Sequence, residues 1–342
     1  MSLRNLSVET KIPKILNEKL KNKRIYQIYK KFEKSLKINQ DFLVAVSGGP
    51  DSLALAFLAK IYSIKKKIKS KFIIVDHKLR PESTNEARAV KNVLKSYLIN
   101  AEILVWRGRK PNSNIQSNAR KKRYEILFAK CDKLNIKNIL LGHHEGDLLE
   151  NFFIRILRGS GLNGLISLGN NNKIENKNLL RPLLYFKKED LLFISKYVFE
   201  FYVQDPSNQN EKFLRIKIRK LIQELQSNGF DKKKFLRTIK NLKSSNKVIN
   251  FYVNQNLKKN TFFLHKKKRL ILNHHFFEQP YEVMFRSLSE SIKIIGKKYY
   301  SVRGKKLDKI IKDLENTHSI RVTLGGCIIE KVNQTVIISK EL

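Results

Sequence analysis

Between residues 41 and 157 the chain alternates short apolar runs with longer stretches of helical periodicity, an order that few folds accept. The runs are FLVAV (42–46), FIIVD (72–76), EILVW (102–106) and NILLG (138–142). Helical patterns follow them, from Asp51 to about Ile64, Ser83 to Tyr97, Asn114 to Leu134 and Glu145 to Leu157. Short apolar strands are covered on both faces, and helices between them supply the crossovers that parallel pairing needs. The pattern predicts a doubly wound α/β domain with a parallel sheet. Ligands of such sheets collect beyond the carboxyl ends of the strands. Here those ends run into SGGPDS, DHKLRPES, RGRKPNSN and HHEGD, polar segments expected to converge on one crevice.

Elsewhere the pattern changes. Residues 1–40 hold eleven Lys or Arg and three Glu with apolar residues at helical spacing, which predicts a basic helical extension on the surface. Residues 187–245 read as a mainly helical appendage broken at QDPSNQN, and a junction is expected within 243–260. Beyond it, RLILN, a helix around Tyr281 to Ile295 and SIRVTLGGCIIEKVNQTVIIS predict a small α+β domain. The expected division is therefore 1–40, 41–245 and 246–342. A length of 342 residues suffices for two cores.

Charge and cysteine content narrow the classes of function. Lys and Arg number 70 against 30 Asp and Glu, a net charge of +40 that attracts polyanions, nucleic acid first among them. No apolar run approaches the ~18 residues that span a bilayer, and the N-terminus has no apolar signal core, so a cytoplasmic protein without a membrane partner is expected. Cys131 and Cys327 are the only cysteines, too few for a disulfide framework or a four-cysteine metal site. Nothing in the sequence sets an oligomeric state.

The bend VAVSGGPDSLAL (44–55) carries the most chemistry. A strand running through two glycines into a helix points the first free N–H groups of that helix at whatever lies above, and an anion fits there. Gly48 and Gly49 permit close approach, Pro50 starts the helix, and Ser47 and Ser52 offer hydroxyl donors. The lysine of the G-x-x-x-x-G-K-[ST] phosphate loop is absent. Asp51 would repel a phosphate unless a divalent cation lay between them, so Mg²⁺ is part of the expectation.

S-G-G-x-D-S after a first parallel strand resembles the pyrophosphate loop of the N-type ATP pyrophosphatases, whose fold is the adenine nucleotide alpha hydrolase-like sheet. Further segments occur in the order found in the tRNA(Ile)-lysidine synthetases: VDHKLRPESTNEA (75–87), NIQSNARKKRYEIL (114–127), GHHEGDLLENFFIRILRGSGLNGLISL (142–168), RPLL (181–184) and DPSN followed by FLRIKIR (205–219). The resemblance covers roughly 42 to 220 strongly. It implies that ATP adenylylates the C2 oxygen of the wobble cytidine in an isoleucine tRNA with a CAU anticodon, and that the ε-amine of free L-lysine then displaces AMP.

Residue by residue, the resemblance places Asp76 and His77 near the nucleotide, beside Ser47–Ser52. Arg120 and Arg123 would hold the triphosphate or the departing pyrophosphate. Asn208, Arg215 and Arg219 would lie on the tRNA and lysine side. His143, Asp147 and Glu150 are spaced i, i+4 and i+7, which predicts one helix face turned to the crevice. Asp147 would orient or deprotonate the amine or share Mg²⁺ with Asp51, and Glu150 would hold charged groups of the substrate. The domain after residue 245 would help recognise the tRNA body. Gly146 departs from the family, whose members usually carry Asp there, as do Lys78, Asn151 and RIKIR. Two other readings are a pyrophosphate-loop tRNA thiolase, for which no close cysteine pair exists, and a non-catalytic RNA-binding module.

Overall fold

A computed structural model describes residues 12–108, 113, 115–169, 171–174, 176–204, 214–264, 269–297, 302 and 304–341. They form two compact units, 1–230 and 231–342.

The first unit opens with α1 (Lys14–Leu20) and α2 (Lys23–Ser35), then alternates β1 (Phe42–Val46), α3 (Pro50–Lys65), β2 (Ser70–Asp76), α4 (Ser83–Ser96), β3 (Ala101–Val105), α5 (Ile115–Lys133), β4 (Asn138–Leu140) and α6 (Glu145–Leu157). A short α7 (Leu162–Leu165) leads to the strands β5 (Asn171–Ile174) and β6 (Lys177–Leu180), then to α8 (Lys188–Ile194), a π-turn over Ser195–Phe199 and α9 (Leu214–Ser227). Strand order is β3-β2-β1-β4-β6-β5, parallel throughout except for β5 at the edge. Val44 pairs with Phe72 on one side and Leu140 on the other, so β1 is central and the order reverses between β1 and β4. That reversal opens a crevice at the strand ends.

Local chemistry accounts for the central elements. Pro50 stands at the start of α3 with Asp51 in its first turn, both favoured there. Leu53 to Ala59 are all fully buried, so this helix is apolar all round and lies inside the unit. The expected surface extension is corrected: Leu16, Ile25, Tyr29 and Phe32 are fully buried in the same core as α3, so α1 and α2 are part of the unit. β5 and β6 escaped the sequence reading because their residues, NNKI and KNLL, are rich in Asn and Lys, which rarely fill strands.

The second unit comprises α10 (Lys232–Asn260), β7 (Thr261–Leu264), β8 (Arg269–Leu272), α11 (Tyr281–Gly296), α12 (Gly304–Asn316), β9 (Ser319–Leu324), β10 (Cys327–Val332) and β11 (Thr335–Lys340). Its antiparallel sheet runs β7-β8-β11-β10-β9 around a separate core. Gly325 and Gly326, at φ 67° and 77°, make the two-residue turn between β9 and β10. The junction expected within 243–260 is displaced: those residues are unbroken helix, and the units divide after residue 230. Ser and Asn made the stretch look like a loop, but Asn246 and Asn256 are buried and bonded, the first to Arg286 Nη1 at 2.6 Å and the second to Ser287 Oγ at 3.2 Å. Among the described residues no helix is long and apolar enough to cross a membrane.

Candidate active site

The bend between β1 and α3 is a braced cradle. Gly48 sits at φ +87°, and a Cβ there would lie 2.6 Å from Val90 Cγ2, so geometry and space both require glycine. The Gly48 carbonyl accepts from Val203 N–H at 3.0 Å. Ser52 donates its hydroxyl proton to the Gly49 carbonyl at 2.9 Å and accepts from Ser47 N–H at 3.1 Å and Ser47 Oγ at 3.2 Å. The expectation of Ser52 as a free hydroxyl donor is corrected, since its proton is engaged in holding the loop shut. Gly49 precedes α3 and no side chain caps that helix, while the Pro50 carbonyl is fixed by the Ser195 hydroxyl at 2.6 Å. Gly142, leaving β4, approaches so closely that a Cβ would lie 3.2 Å from the Ser52 backbone. The ends of β1 and β4 are thereby pressed together at the reversal.

Above the cradle lies a cavity of about 400 Å³, within the range of small-molecule sites. Ser47, Gly49, Asp51 and Ser52 line its floor. Asp76, His77, Arg120, Arg123, His143, Asp147 and Arg215 line its walls, so residues from the ends of three strands, β1, β2 and β4, meet residues of four helices, α3, α5, α6 and α9. Asp76 is 2 % exposed and accepts from Lys78 N–H at 2.9 Å and Thr84 Oγ1 at 2.8 Å, which shapes the turn after β2. Lys78 adopts φ 49° in that turn, the left-handed region that residues with side chains seldom enter. The His77 ring stands edge-on to Trp106 at 6.0 Å.

The electrostatics are those of a site built for an anion and a cation together. Burial pushes the Asp51 carboxyl above its usual range, with Asp147 adding to the rise and His144 opposing it. Its Oδ1 is buried with no hydrogen-bond partner. Burial would also raise Asp147, but His144, His143, the His144 N–H and Arg215 together hold it below the usual range, so it is ionised. Burial first, and then Arg181, Arg120 and Arg215, push His143 down to about 3 against the pull of Asp147, so its ring is neutral. Burial and the adjacent charges of Arg120 and Arg215 lower the Arg123 guanidinium, whose buried Nε has no hydrogen-bond partner. A wall of mutually repelling arginines is relieved by a phosphate chain. An orphaned Asp51 oxygen near an ionised Asp147 suits a hard divalent cation.

Two expected roles change. Glu150 does not line the cavity; its carboxylate accepts from Arg219 Nε at 2.5 Å and Nη2 at 3.4 Å. The shared helix face also fails in detail, because α6 begins at Glu145 and His143 is presented by the end of β4. Asn208 lies outside the described residues. Arg181 and His144 were missed. Arg181 is buried and donates from Nε to His143 Nδ1 at 3.2 Å and from Nη1 to the Gly169 carbonyl at 2.9 Å. It leaves β6, so the strand-end rule would have found it had that strand been recognised.

Comparison with known proteins agrees with this geometry. A family model described as a PP-loop domain matches residues 17–225. The chain is 34% identical over 318 residues to a tRNA(Ile)-lysidine synthase of Orientia tsutsugamushi, covering 89% of this chain and 70% of the relative. It is 32% identical over 311 residues to one of Wolbachia sp. subsp. Brugia malayi, covering 89% and 71%. Among solved structures, the U34-tRNA thiolase NcsA of Methanococcus maripaludis, with its [4Fe-4S] cluster, shares the fold at a TM-score of 0.55 and 19% identity, over 64% of this chain and 78% of that one. The chain holds only two cysteines, Cys131 in the first unit and Cys327 in the second, both buried, whereas such clusters are held by several thiolates. Matched by a PP-loop model over most of its first unit and by lysidine synthases over most of its length, the chain belongs to the tRNA(Ile)-lysidine synthase family.

Proposed function

We propose that this chain is the ATP-dependent ligase that converts the wobble cytidine of a CAU-anticodon isoleucine tRNA to lysidine, and that the cavity over the β1–α3 bend is where it does so. The observation that carries the assignment of the site is the meeting of a glycine cradle, the carboxylates of Asp51 and Asp147 and the guanidinium groups of Arg120, Arg123 and Arg215 at the reversal of strand order. A ring oxygen at C2 is a poor leaving group. The base oxygen therefore attacks the α-phosphorus of ATP, pyrophosphate departs, and the lysine ε-amine then attacks C2 and expels AMP.

Arg120, Arg123 and Arg215 face the phosphates, where charge gathers as pyrophosphate leaves. The uncapped start of α3 adds backbone N–H groups. Asp51 and Asp147 would hold Mg²⁺, which when bound offsets the repulsion between the carboxylates and the phosphates. Free lysine, with an amine pKa of about 10.4, arrives as an ammonium ion. Asp147, ionised and held below its usual range, orients that ammonium; one proton passes to water before the free amine attacks C2, and the proton that the nitrogen sheds as AMP departs passes to water as well.

The second unit supplies a surface suited to the tRNA body. Helix α10 carries nine Lys or Arg and no acidic residue over 232–260. Phe251 is 56 % and Tyr252 52 % exposed on that helix, beside Lys247 and Val248. Cations interleaved with exposed aromatic rings bind a phosphate backbone and stack unpaired bases.

Incubation with ATP, labelled lysine and isoleucine tRNA carrying CAU tests the reading. Lysine-dependent label on the tRNA with stoichiometric pyrophosphate release is expected, and Asp147→Ala is expected to abolish it while the far-ultraviolet circular dichroism is unchanged. Near-normal turnover in that variant would remove Asp147 from the mechanism. RNA binding with no ATP-dependent labelling would favour the inert module.

A further inference from the structure

We infer that His144 is a positioning residue that sets the two carboxylates of the cradle, and that the missing side chain at Gly146 is what admits its ring. His144 is 7 % exposed and precedes α6. Gly146 N–H donates to its Nδ1 at 2.9 Å, so Nδ1 is the acceptor of the ring and Nε2 is left as its donor. That nitrogen lies 3.6 Å from Asp51 Oδ2 and 3.8 Å from Asp147 Oδ2. Both distances exceed a direct hydrogen bond, so the polar N–H stands between the carboxylates without being committed to either. The His144 backbone N–H in turn donates to Asp147 Oδ2 at 2.9 Å, which fixes the second carboxylate from behind.

The ring can sit there only over a glycine. A Cβ on residue 146 would lie 2.6 Å from His144 Cε1 and 3.1 Å from Nδ1. Any side chain at 146 forces the ring out of this position. The backbone does not demand glycine at this position, because Gly146 is helical and has no positive φ. The neighbouring imidazole is the only crowded contact a Cβ would meet. His144 therefore supplies an N–H donor between Asp51 and Asp147, in a place that the bare Gly146 leaves open. The inference rests on the proposed ATP and Mg²⁺ site, but its first test does not.

That test is the tautomer of His144 in the ligand-free protein, read from two-bond nitrogen–proton correlations of ¹⁵N-histidine-labelled full chain, with the resonance assigned by loss in His144→Asn. The expected result is a proton on Nε2 and none on Nδ1, and a changed pattern in Gly146→Ala. A proton on Nδ1, or an identical pattern in Gly146→Ala, would overturn the inference while leaving the lysidine reading intact.

The second test is Mg²⁺-dependent ATP binding by calorimetry. Gly146→Ala is expected to weaken Mg²⁺ affinity about tenfold, the usual order for lost support of a metal ligand. Alanine ordinarily favours a helix over glycine, so this loss should come with unchanged or higher thermal stability. His144→Asn retains a capping side chain but has no Nε2, and should lose affinity to the same extent without unfolding. In the His144→Asn background, Gly146→Ala should add nothing further, because both changes remove one contact. Additive losses would assign Gly146 a role independent of the ring and overturn the inference.

Discussion

The cradle of the first unit and helix α10 of the second, the two regions proposed to meet phosphate, are built in opposite ways. Around the cradle charges of both signs meet, and some are withdrawn from water: Asp51 has a buried oxygen without a partner, Arg123 a buried nitrogen without one. On α10 the charges are many, of one sign, and mostly left in water. A charge out of water interacts several times more strongly with its neighbours than one left in it, and the site that must move electrons onto pyrophosphate needs that strength. A surface that only gathers a polyanion gains from releasing its counterions, for which exposed lysines suffice.

The contrast is broken most decisively at Asp51. Asp51→Asn is expected to lower kcat for lysine transfer at least about a hundredfold. The same change should stabilise the fold. The folded-state pKa of Asp51 lies above its unfolded value, so the folded protein binds the extra proton, and the carboxylate costs stability once the pH exceeds the unfolded value near ~3.9. Thermal melts should show a higher midpoint for Asp51→Asn at pH 7 and no difference below about pH 4. A variant that is inactive and also less stable would mean that Asp51 is a structural support rather than a strained ligand.

A smaller effect is expected on the open surface. Phe251→Ala with Tyr252→Ala should weaken tRNA binding about tenfold through lost stacking, with no change in ATP affinity. Both rings are exposed, so the fold should tolerate the change. Unaltered tRNA affinity in a filter-binding assay would remove these rings from the interface, and reduced ATP affinity would erase the distinction between the two regions.

How far each region was legible follows from the same contrast. The cradle was read from its strand, its glycines and Asp51 because that geometry is written in consecutive residues. What escaped was set by long-range packing. β6 pairs Asn178 with Asn138, and no local pattern marks so polar a residue as part of a strand, so Arg181 at its end, though within RPLL, was given no place at the site. Adjacent histidines cannot be told apart by spacing: His143 ends up bonded to Arg181 and His144 between two carboxylates because the chain turns between them from β4 into α6. Glu150 obeyed its helical spacing but met Arg219, a residue 69 positions away. The long α10 was mistaken for a junction since its buried polar residues find partners only in the folded unit, Asn256 with the Phe276 carbonyl at 3.2 Å among them.

The most direct measurement is a crystal structure of the full chain with Mg²⁺ and a non-hydrolysable ATP analogue. The expected density has the triphosphate on the bend from Ser47 to Ser52, with Arg120 and Arg123 against it and its α-phosphorus open to the cavity. An empty bend with the triphosphate bound elsewhere would contradict the assignment of this cavity as the adenylylating site.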